Sequence, residues 1–458
     1  MSVLGQDESE SGLRLEKARH IKYWARCLKT LLPHQYTGND SNRMYLAYFI
    51  VGALDLLGSL DGVASEDERR DHINWVYRCQ HPKGGFRMWP GTDLGEHTNE
   101  ANAGWDPATI PATFFALSTL LIYKDNFDRL KRKETLQWLH SMQRPDGSFG
   151  ESLINERIEG GRDPRFGYCA SGIRYMLRGD SEGPISVDGQ SISDIDVDGL
   201  VRCIRAAESF EGGIADEPFH EPHAGYTFCS IGALALLGRL RLSNTLESGQ
   251  ICAPGNPQSV IKWLVSRQTE LMDPDASLDS EFIGWSHPLH IQLAEDQTTN
   301  ANEAAVCQPV YQLPHRSTAG TKLEMLTDGA GMNGRTNKVA DTCYAFWSTA
   351  PLHIMRQPDI YNQDAIRRYL LLKTQHPVLG GFGKFPGDLP DLYHSYLGLA
   401  ALSLAGSDDI KELDGGLCMS KEARDRLPAL WKSWQSNDQE STDCGSNDFA
   451  NISADTRD

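Results

Sequence analysis

Four shortages in this chain each exclude a class of protein. Its charge is not basic: 44 Lys and Arg against 62 Asp and Glu leave a net −18. That balance argues against a nucleic-acid partner, which would need a basic face to replace phosphate counterions, and a basic partner is expected instead. None of the ten cysteines forms a C-x-x-C pair, and several sit within apolar helical runs, as reduced cytosolic thiols do, which argues against a disulfide framework. Long apolar runs are also missing. The most apolar stretch, Met44 to Leu60, is interrupted by Asp55, and the N-terminus M-S-V-L-G-Q-D-E-S-E has neither a basic nor an apolar leader region. A cytoplasmic protein without a transmembrane segment is therefore expected. Finally, very few segments alternate with period two, whereas patterns of period 3.6 recur throughout, so the expected fold class is all-α.

What remains is an ordinary globular composition, 40% hydrophobic and 23% charged over 458 residues, enough for a substantial interior. An internal repeat organises it. An amphipathic helix ends in Gln or a small polar residue, a Gly-rich turn follows, and a second helix is apolar nearly all round. The turns are Q-H-P-K-G-G-F at Gln80, Q-R-P-D-G-S-F at Gln143, F-E-G-G-I at Phe210, D-G-A-G-M-N-G at Asp328 and Q-H-P-V-L-G-G-F at Gln375. Glycine supplies positive φ where the chain reverses. Helices with one apolar stripe, such as 71–79 and 131–142, are expected to lie outside. Helices at 43–60, 109–123, 165–177, 226–240, 341–354 and 393–404 are expected inside. About six such pairs stack into an α/α barrel (toroid) of inner and outer rings if the curvature closes, and an open solenoid fits the same pattern. The expected domain is 13–435, broken by an inserted loop at 269–327, with a disordered polar tail at 436–458.

The densest chemistry lies at 329–347, G-A-G-M-N-G-R-T-N-K-V-A-D-T-C-Y-A-F-W. Arg335 and Lys338 precede Asp341 and Cys343, and an aromatic cluster follows. Residues i and i+2 of a formed helix point about 200° apart, so Asp341 and Cys343 share a metal only where the backbone is entering the helix. The competing reading makes Asp341 an N-cap, Cys343 a buried apolar residue and the two cations solvated charges. Zinc needs a third protein ligand. His394, at the start of the neighbouring inner helix, is the best candidate, against the alternative of a core histidine bonded to backbone. Arg165, Tyr168, His223, Tyr226 and Tyr344 also fall at inner-helix starts. In a closed ring these starts share one end of the cavity, where free N–H groups and helix dipoles favour an anion such as a phosphate group.

G-R-T-N-K-V-A-D-T-C-Y-A-F-W, with H-A-G-Y-T-F-C at His223, D-P-R-F-G-Y-C-A-S at Asp163 and G-G-F-G-K-F-P-G-D-L-P-D-L-Y-H at Gly380, resembles the β subunit of the protein prenyltransferases over about residues 13–435 apart from the insertion. The resemblance implies an α/α barrel in an obligate heterodimer with a crescent-shaped helical α subunit. It makes Asp341, Cys343 and His394 the ligands of one Zn²⁺, and His223, Arg335, Lys338 and Tyr344 the diphosphate cradle. Tyr45, Phe49, Arg165, Tyr168, Tyr226, Cys229, Trp347 and Tyr393 become the isoprenoid and peptide wall. Lys384 stands where the farnesyl branch places a Mg²⁺-binding aspartate and the type I geranylgeranyl branch a lysine, so it is counted with the catalytic residues and Mg²⁺ is not expected. The implied reaction moves geranylgeranyl from geranylgeranyl diphosphate to the cysteine of C-terminal C-a-a-X peptides of small GTPase-like proteins. Three positions depart from the type I pattern: Tyr45 where a small residue is usual, Tyr393 where leucine is, and Thr109 in place of a histidine. The alternatives are a farnesyltransferase β subunit and a non-catalytic helical scaffold. An outer ring with more apolar residues than its repeats cover implies an interface of roughly 2,000 Å² or more.

Overall fold

The structure, a computed structural model, describes residues 13–30, 32, 36, 38–243, 250–272 and 329–436. Nearly all of the expected insertion (269–327) and tail (436–458) lies outside the described residues. Six outer helices alternate with six inner ones: α1 (Lys17–Lys29), α2 (Arg43–Leu56), α3 (Glu66–Arg78), α4 (Ile110–Ile122), α5 (Arg132–Ser141), α6 (Pro164–Arg178), α7 (Val197–Ala206), α8 (Ala224–Leu236), α9 (Pro257–Val265), α10 (Thr342–Ile354), α11 (Gln363–Arg368) and α12 (Leu392–Leu404). α11 runs on as a π-helical segment, Tyr369–Thr374.

Burial separates the two rings as the composition demands. Every residue of α4 is buried, whereas Val76 is the one fully buried residue of α3. Each even-numbered helix packs on the next, and α12 packs on α2, so the inner ring closes and the open solenoid is ruled out. Three expected boundaries shift, one of them the end of α8, at Leu236 rather than 240. α3 begins at Glu66 rather than 71, because Ser65 and Glu68 form a reciprocal capping box that fixes the start ahead of the apolar stripe. α2 stops at Leu56 rather than 60, and a separate short helix covers Leu60–Val63.

The glutamines that end the outer helices stitch consecutive repeats. The side-chain oxygen of Gln80 accepts the Lys131 N–H at 2.7 Å, that of Gln143 the Asp196 N–H at 2.7 Å and that of Gln268 the Asn362 N–H at 3.0 Å. In each case the donor is the N-cap residue of the next outer helix, whose N–H has no partner within its own helix. The carboxylate of Glu208 makes a similar bond one residue earlier, accepting the N–H of Gly255, just before the N-cap Asn256 of α9, at 2.9 Å. The turn glycines Gly84, Gly147, Gly212, Gly329 and Gly380 all take positive φ, as expected.

One end of the ring is closed by the hairpin Leu413–Asp414 with Met419–Ser420. Tyr48 and Tyr396 both donate to the Cys418 carbonyl, and Tyr168 donates to that of Gly416 at 2.8 Å. Glu412 to Leu417 line a cleft against Tyr175, Leu236, Ile354 and Leu404, at the C-terminal ends of four inner helices. The N-terminal ends are the other mouth of the ring. Between them runs a circuit of aromatic rings contributed by all six inner helices. Ring centroids lie 6.0 Å apart for Phe49–Tyr393, 6.5 Å for Tyr393–Trp347, 4.8 Å for Trp347–Phe228, 5.2 Å for Phe228–Tyr168, 5.3 Å for Tyr168–Phe114, 5.6 Å for Phe114–Phe115 and 6.2 Å for Phe115–Phe49.

Candidate active site

Asp341 is the N-cap of α10, with extended backbone, and Cys343 is that helix's second residue. The chain is thus entering the helix at this point, the one geometry in which an i, i+2 pair converges. Asp341 Oδ1 accepts the Cys343 N–H at 2.8 Å and lies 3.5 Å from His394 Nε2. Ligand atoms of Asp341, Cys343 and His394 all fall within 4.8 Å of one another, and all three residues are buried. Ligands about 2.0–2.3 Å from a tetrahedral zinc stand roughly 3.3–3.8 Å apart, so this oxygen, sulfur and nitrogen set fits the metal with small adjustments. The N-cap role of Asp341 is therefore compatible with a role as a metal ligand.

Asp391, which the sequence analysis passed over, fixes His394. It caps α12, its Oδ1 accepting the His394 N–H at 2.9 Å, while Oδ2 stands 2.6 Å from Nδ1. That contact puts a proton on Nδ1 and directs Nε2 toward Asp341 and Cys343. The signal was legible as an Asp three residues before a His at a helix start in D-L-Y-H. Burial opposes charge on His394, but Asp391 and Asp341 raise its pKa well above the ordinary value. Burial, helped by the Asp341 carboxylate, pushes the Cys343 thiol up to about 12.

A second cluster adjoins the first. His223 caps α8, its Nδ1 accepting the Gly225 N–H at 3.0 Å, so the ring proton lies on Nε2, 2.9 Å from the Tyr344 hydroxyl. The phenol accepts there and keeps its own proton for another acceptor. Burial first, then the Arg335 and Arg165 charges, lower the His223 pKa to about 4, so the imidazole stays neutral in a positive field. Gly334 permits the loop to lie on Tyr344, since a Cβ there would stand 2.2 Å from the ring. Arg335 pairs loosely with Glu221 at 3.4 Å. Arg165 is held by Asp163 at 2.7 Å, with its guanidinium 5.9 Å from the Tyr226 ring centre, and the His223 ring is 5.1 Å from Tyr226.

Lys338 is exposed, and among the described residues its side chain makes no hydrogen bond or ion pair; it joins the site through its carbonyl, which accepts from Asn333 at 2.8 Å. The Lys384 carbonyl accepts the Thr342 N–H at 3.1 Å, which sets residue 384 beside the start of α10, and its ammonium lies 4.8 Å from the Phe385 ring centre. Phe49, Tyr168, Trp347 and Tyr393 belong to the aromatic circuit, and Tyr45 packs on it 5.6 Å from Phe49. Trp347 Nε1 also donates to the Tyr393 hydroxyl at 2.9 Å. Cys229 is buried on α8 among these residues. Thr109 is the N-cap of α4, accepting the Ala112 N–H at 3.2 Å, which accounts for it as a capping residue.

A closed α/α ring with this buried triad at one mouth defines a class, and the chain belongs to it: residues 15–419 match the Prenyltransferase alpha-alpha toroid domain family. Within that family it is 28% identical over 415 residues to the geranylgeranyl transferase type-1 subunit beta of Arabidopsis thaliana, covering 89% of each chain. It is also 28% identical over 431 residues to the subunit of the same name from Dictyostelium discoideum, covering 90% of this chain and 97% of that one. The solved structure of Candida albicans protein geranylgeranyltransferase-I complexed with GGPP superposes with a TM-score of 0.68 at 26% identity, covering 91% of this chain and 99% of that one.

Proposed function

We propose that this chain is the catalytic β subunit of a heterodimeric protein geranylgeranyltransferase type I. The observation that carries the reading is the adjacency of an oxygen, sulfur and nitrogen triad to a neutral His223–Tyr344 pair at the open mouth of an aromatic-lined ring. Asp341, Cys343 and His394 would hold a zinc ion, whose Lewis acidity would keep a substrate cysteine as thiolate at a pH where a free thiol, of pKa about 8.5, is mostly protonated. The sulfur attacks C1 of the prenyl group, a C–S bond forms, and the C–O bond to diphosphate breaks with its electron pair. Tyr344, oriented by His223, donates a hydrogen bond from its hydroxyl to the departing diphosphate and keeps its proton, and Arg335 and Lys338 offset the diphosphate charge. Lys384 contributes the fixed positive charge that a divalent cation would otherwise bring, so no Mg²⁺ is required. The aromatic circuit binds the isoprenoid by apolar burial.

The partner is an α subunit. Trp105, Phe210, Phe219, Val378 and Leu389 are exposed, and all lie in the segments that lead from an outer helix into an inner one. These five side chains thus lie on the rim of the open mouth, while Leu372, on the π-helical continuation of α11, leaves an apolar side chain exposed on the outer ring as well. An interface at the rim completes the site, and the chain alone is expected to be inactive. The eight described cysteines are free, in keeping with a reducing compartment, which we take to be the cytoplasm.

A second reading, a farnesyltransferase β subunit, is favoured by the aromatic residues Tyr45 and Tyr393. The test offers the zinc-loaded αβ complex equal amounts of radiolabelled geranylgeranyl and farnesyl diphosphates with a peptide ending in Leu. Predominant geranylgeranyl transfer is expected. Predominant farnesyl transfer assigns the other branch, and a complex without stoichiometric zinc or transfer overturns the enzymatic reading.

A further inference from the structure

The loop that carries Arg335 and Lys338 is braced from beneath by two buried polar side chains outside the proposed diphosphate contacts. Arg267, just after α9, is 5% exposed, and among the described residues no carboxylate forms an ion pair with it. Its guanidinium is nonetheless fully directed: Nη1 donates to Thr336 Oγ1 at 3.2 Å, Nη2 to Ser266 Oγ at 3.1 Å and Nε to the Trp263 carbonyl at 3.3 Å. It lies 4.6 Å from the centre of the Trp263 ring. The Arg267 carbonyl accepts the Asn333 N–H at 2.9 Å. Asn333, also 5% exposed, spans the loop and donates from Nδ2 to the Lys338 carbonyl at 2.8 Å. Asn333 therefore ties the loop's two ends, and Arg267 holds its middle through Thr336.

A buried guanidinium without a counter-charge is costly unless its donors are satisfied and an anion can share its field. Each of its three nitrogens donates one bond to the loop or to the end of α9, and Glu211 and Glu221 act on its charge without forming an ion pair, which leaves that charge only partly compensated beneath the loop's own two cations. We propose that Arg267 and Asn333 are positioning residues for the diphosphate loop, and that the diphosphate adds to the counter-charge of Arg267. The inference rests on the reading of Arg335 and Lys338 as diphosphate ligands. The loop is then held ready before the donor arrives, so binding carries no cost of ordering it.

The test measures the inhibition constant of inorganic pyrophosphate, the KM of the peptide and the zinc content of the αβ heterodimer. Arg267→Gln is expected to raise the pyrophosphate constant about tenfold and the exposed, nearly isosteric Thr336→Val about threefold, the scale of one charge-assisted and one ordinary hydrogen bond. Arg267→Lys recovers part of the loss by restoring charge without the fork. Asn333→Asp, which removes the donor to Lys338, raises the constant as well. Zinc content and peptide KM stay within about twofold, since metal and anion sites use different residues. A constant unchanged in Thr336→Val and in folded Arg267→Gln overturns the proposal. If Arg267→Gln does not assemble, Thr336→Val decides alone. Arg335→Ala separates the two levels: if it too leaves pyrophosphate binding unchanged, the diphosphate reading falls, and if it weakens binding while the Arg267 and Thr336 variants do not, only this inference falls.

Discussion

Gln375 clasps the first repeat from the last: its Oε1 accepts the Glu16 N–H at 3.0 Å and its Nε2 donates to the Arg14 carbonyl at 3.3 Å, across 359 positions of sequence between Gln375 and Glu16. The contact is the same one that Gln80, Gln143 and Gln268 make with the next outer helix. The repeat thus contains its own closing device, and the ring is complete when the last glutamine meets the first helix.

The glycine turn beside this seam predicts its own fragility. Gly380 has φ +73°, and a Cβ there would stand 2.5 Å from the Arg19 carbonyl oxygen. Gly380→Ala should cost roughly 2–4 kcal/mol, from strain plus displacement of α1. Gly406→Ala, at φ +74° with open space around it, should cost only about 1 kcal/mol. Thermal unfolding of the two heterodimers checks the difference, and equal midpoints would contradict the close packing at the seam.

His20 makes the seam acid-sensitive. It is fully buried, with Nε2 3.1 Å from Gln375 Oε1 and Nδ1 accepting the Gly381 N–H, and burial lowers its pKa to about 4 against a partly offsetting bond to Gln375. Between that value and an unfolded value near 6.5 the unfolded chain binds the extra proton. Stability from this group is therefore complete above about pH 6.5 and is lost as pH falls toward 4, by about 3 kcal/mol at most. The heterodimer carrying His20→Gln should show a shallower fall in unfolding midpoint over that window. Parallel curves would remove His20 as the cause.

What could be read from the sequence divides along physical lines. The turn glycines, the terminal glutamines and the inner helices were legible because their signals are local: φ, capping and apolar periodicity. Closure was not, because Gln375 and Glu16 meet only in three dimensions. The start of α3 was missed because its first turn, Glu66 to Arg69, carries no apolar stripe. The spacing of Asp341 and Cys343 left a capping reading open and the family resemblance made them ligands, whereas Asp391, Arg267 and Asn333 act on other residues and carry no motif of their own. The 413–420 hairpin that seals the ring has no repeat to mark it.

Asp391 tests the metal reading without replacing a ligand. Asp391→Asn keeps an acceptor for the His394 N–H and ring but removes the negative charge that raises the basicity of the imidazole. Zinc affinity, measured by competition with a chelator, should fall about 10- to 100-fold, with donor binding unchanged. Undiminished zinc affinity would show that His394 needs no such support.

Lys384→Asp should make transfer depend on Mg²⁺. The carboxylate adds negative charge beside the start of α10, where the Lys384 carbonyl already meets the Thr342 N–H at 3.1 Å, and a divalent cation is needed to offset it. Rates are compared with and without millimolar Mg²⁺ in both proteins. A requirement for Mg²⁺ in the unmodified enzyme would take away the chief support for the type I branch.

Tyr45 sets the donor question most sharply, because its side chain is of the bulky kind and its neighbours do not leave it free to move. It is 5% exposed and packs 5.6 Å from Phe49 and 6.3 Å from Phe115, measured between ring centres, and both partners belong to the aromatic circuit. A twenty-carbon chain must bend past this ring or displace it. Hydrophobic walls discriminate by only about 1–3 kcal/mol per methylene-scale change, and a clashing isoprene unit costs more than one such step. Geranylgeranyl diphosphate is therefore expected to remain the preferred donor with measurable farnesyl transfer, and Tyr45→Thr is expected to raise the ratio of kcat/KM for the longer donor over the shorter. The ratio is read from competition between the two labelled diphosphates in the same reaction, which cancels differences in enzyme concentration. If Tyr45→Thr leaves it where it was, the ring does not face the end of the isoprenoid, and the length of the chain is read instead by Phe49, Tyr393 and Trp347 on the neighbouring arc of the circuit.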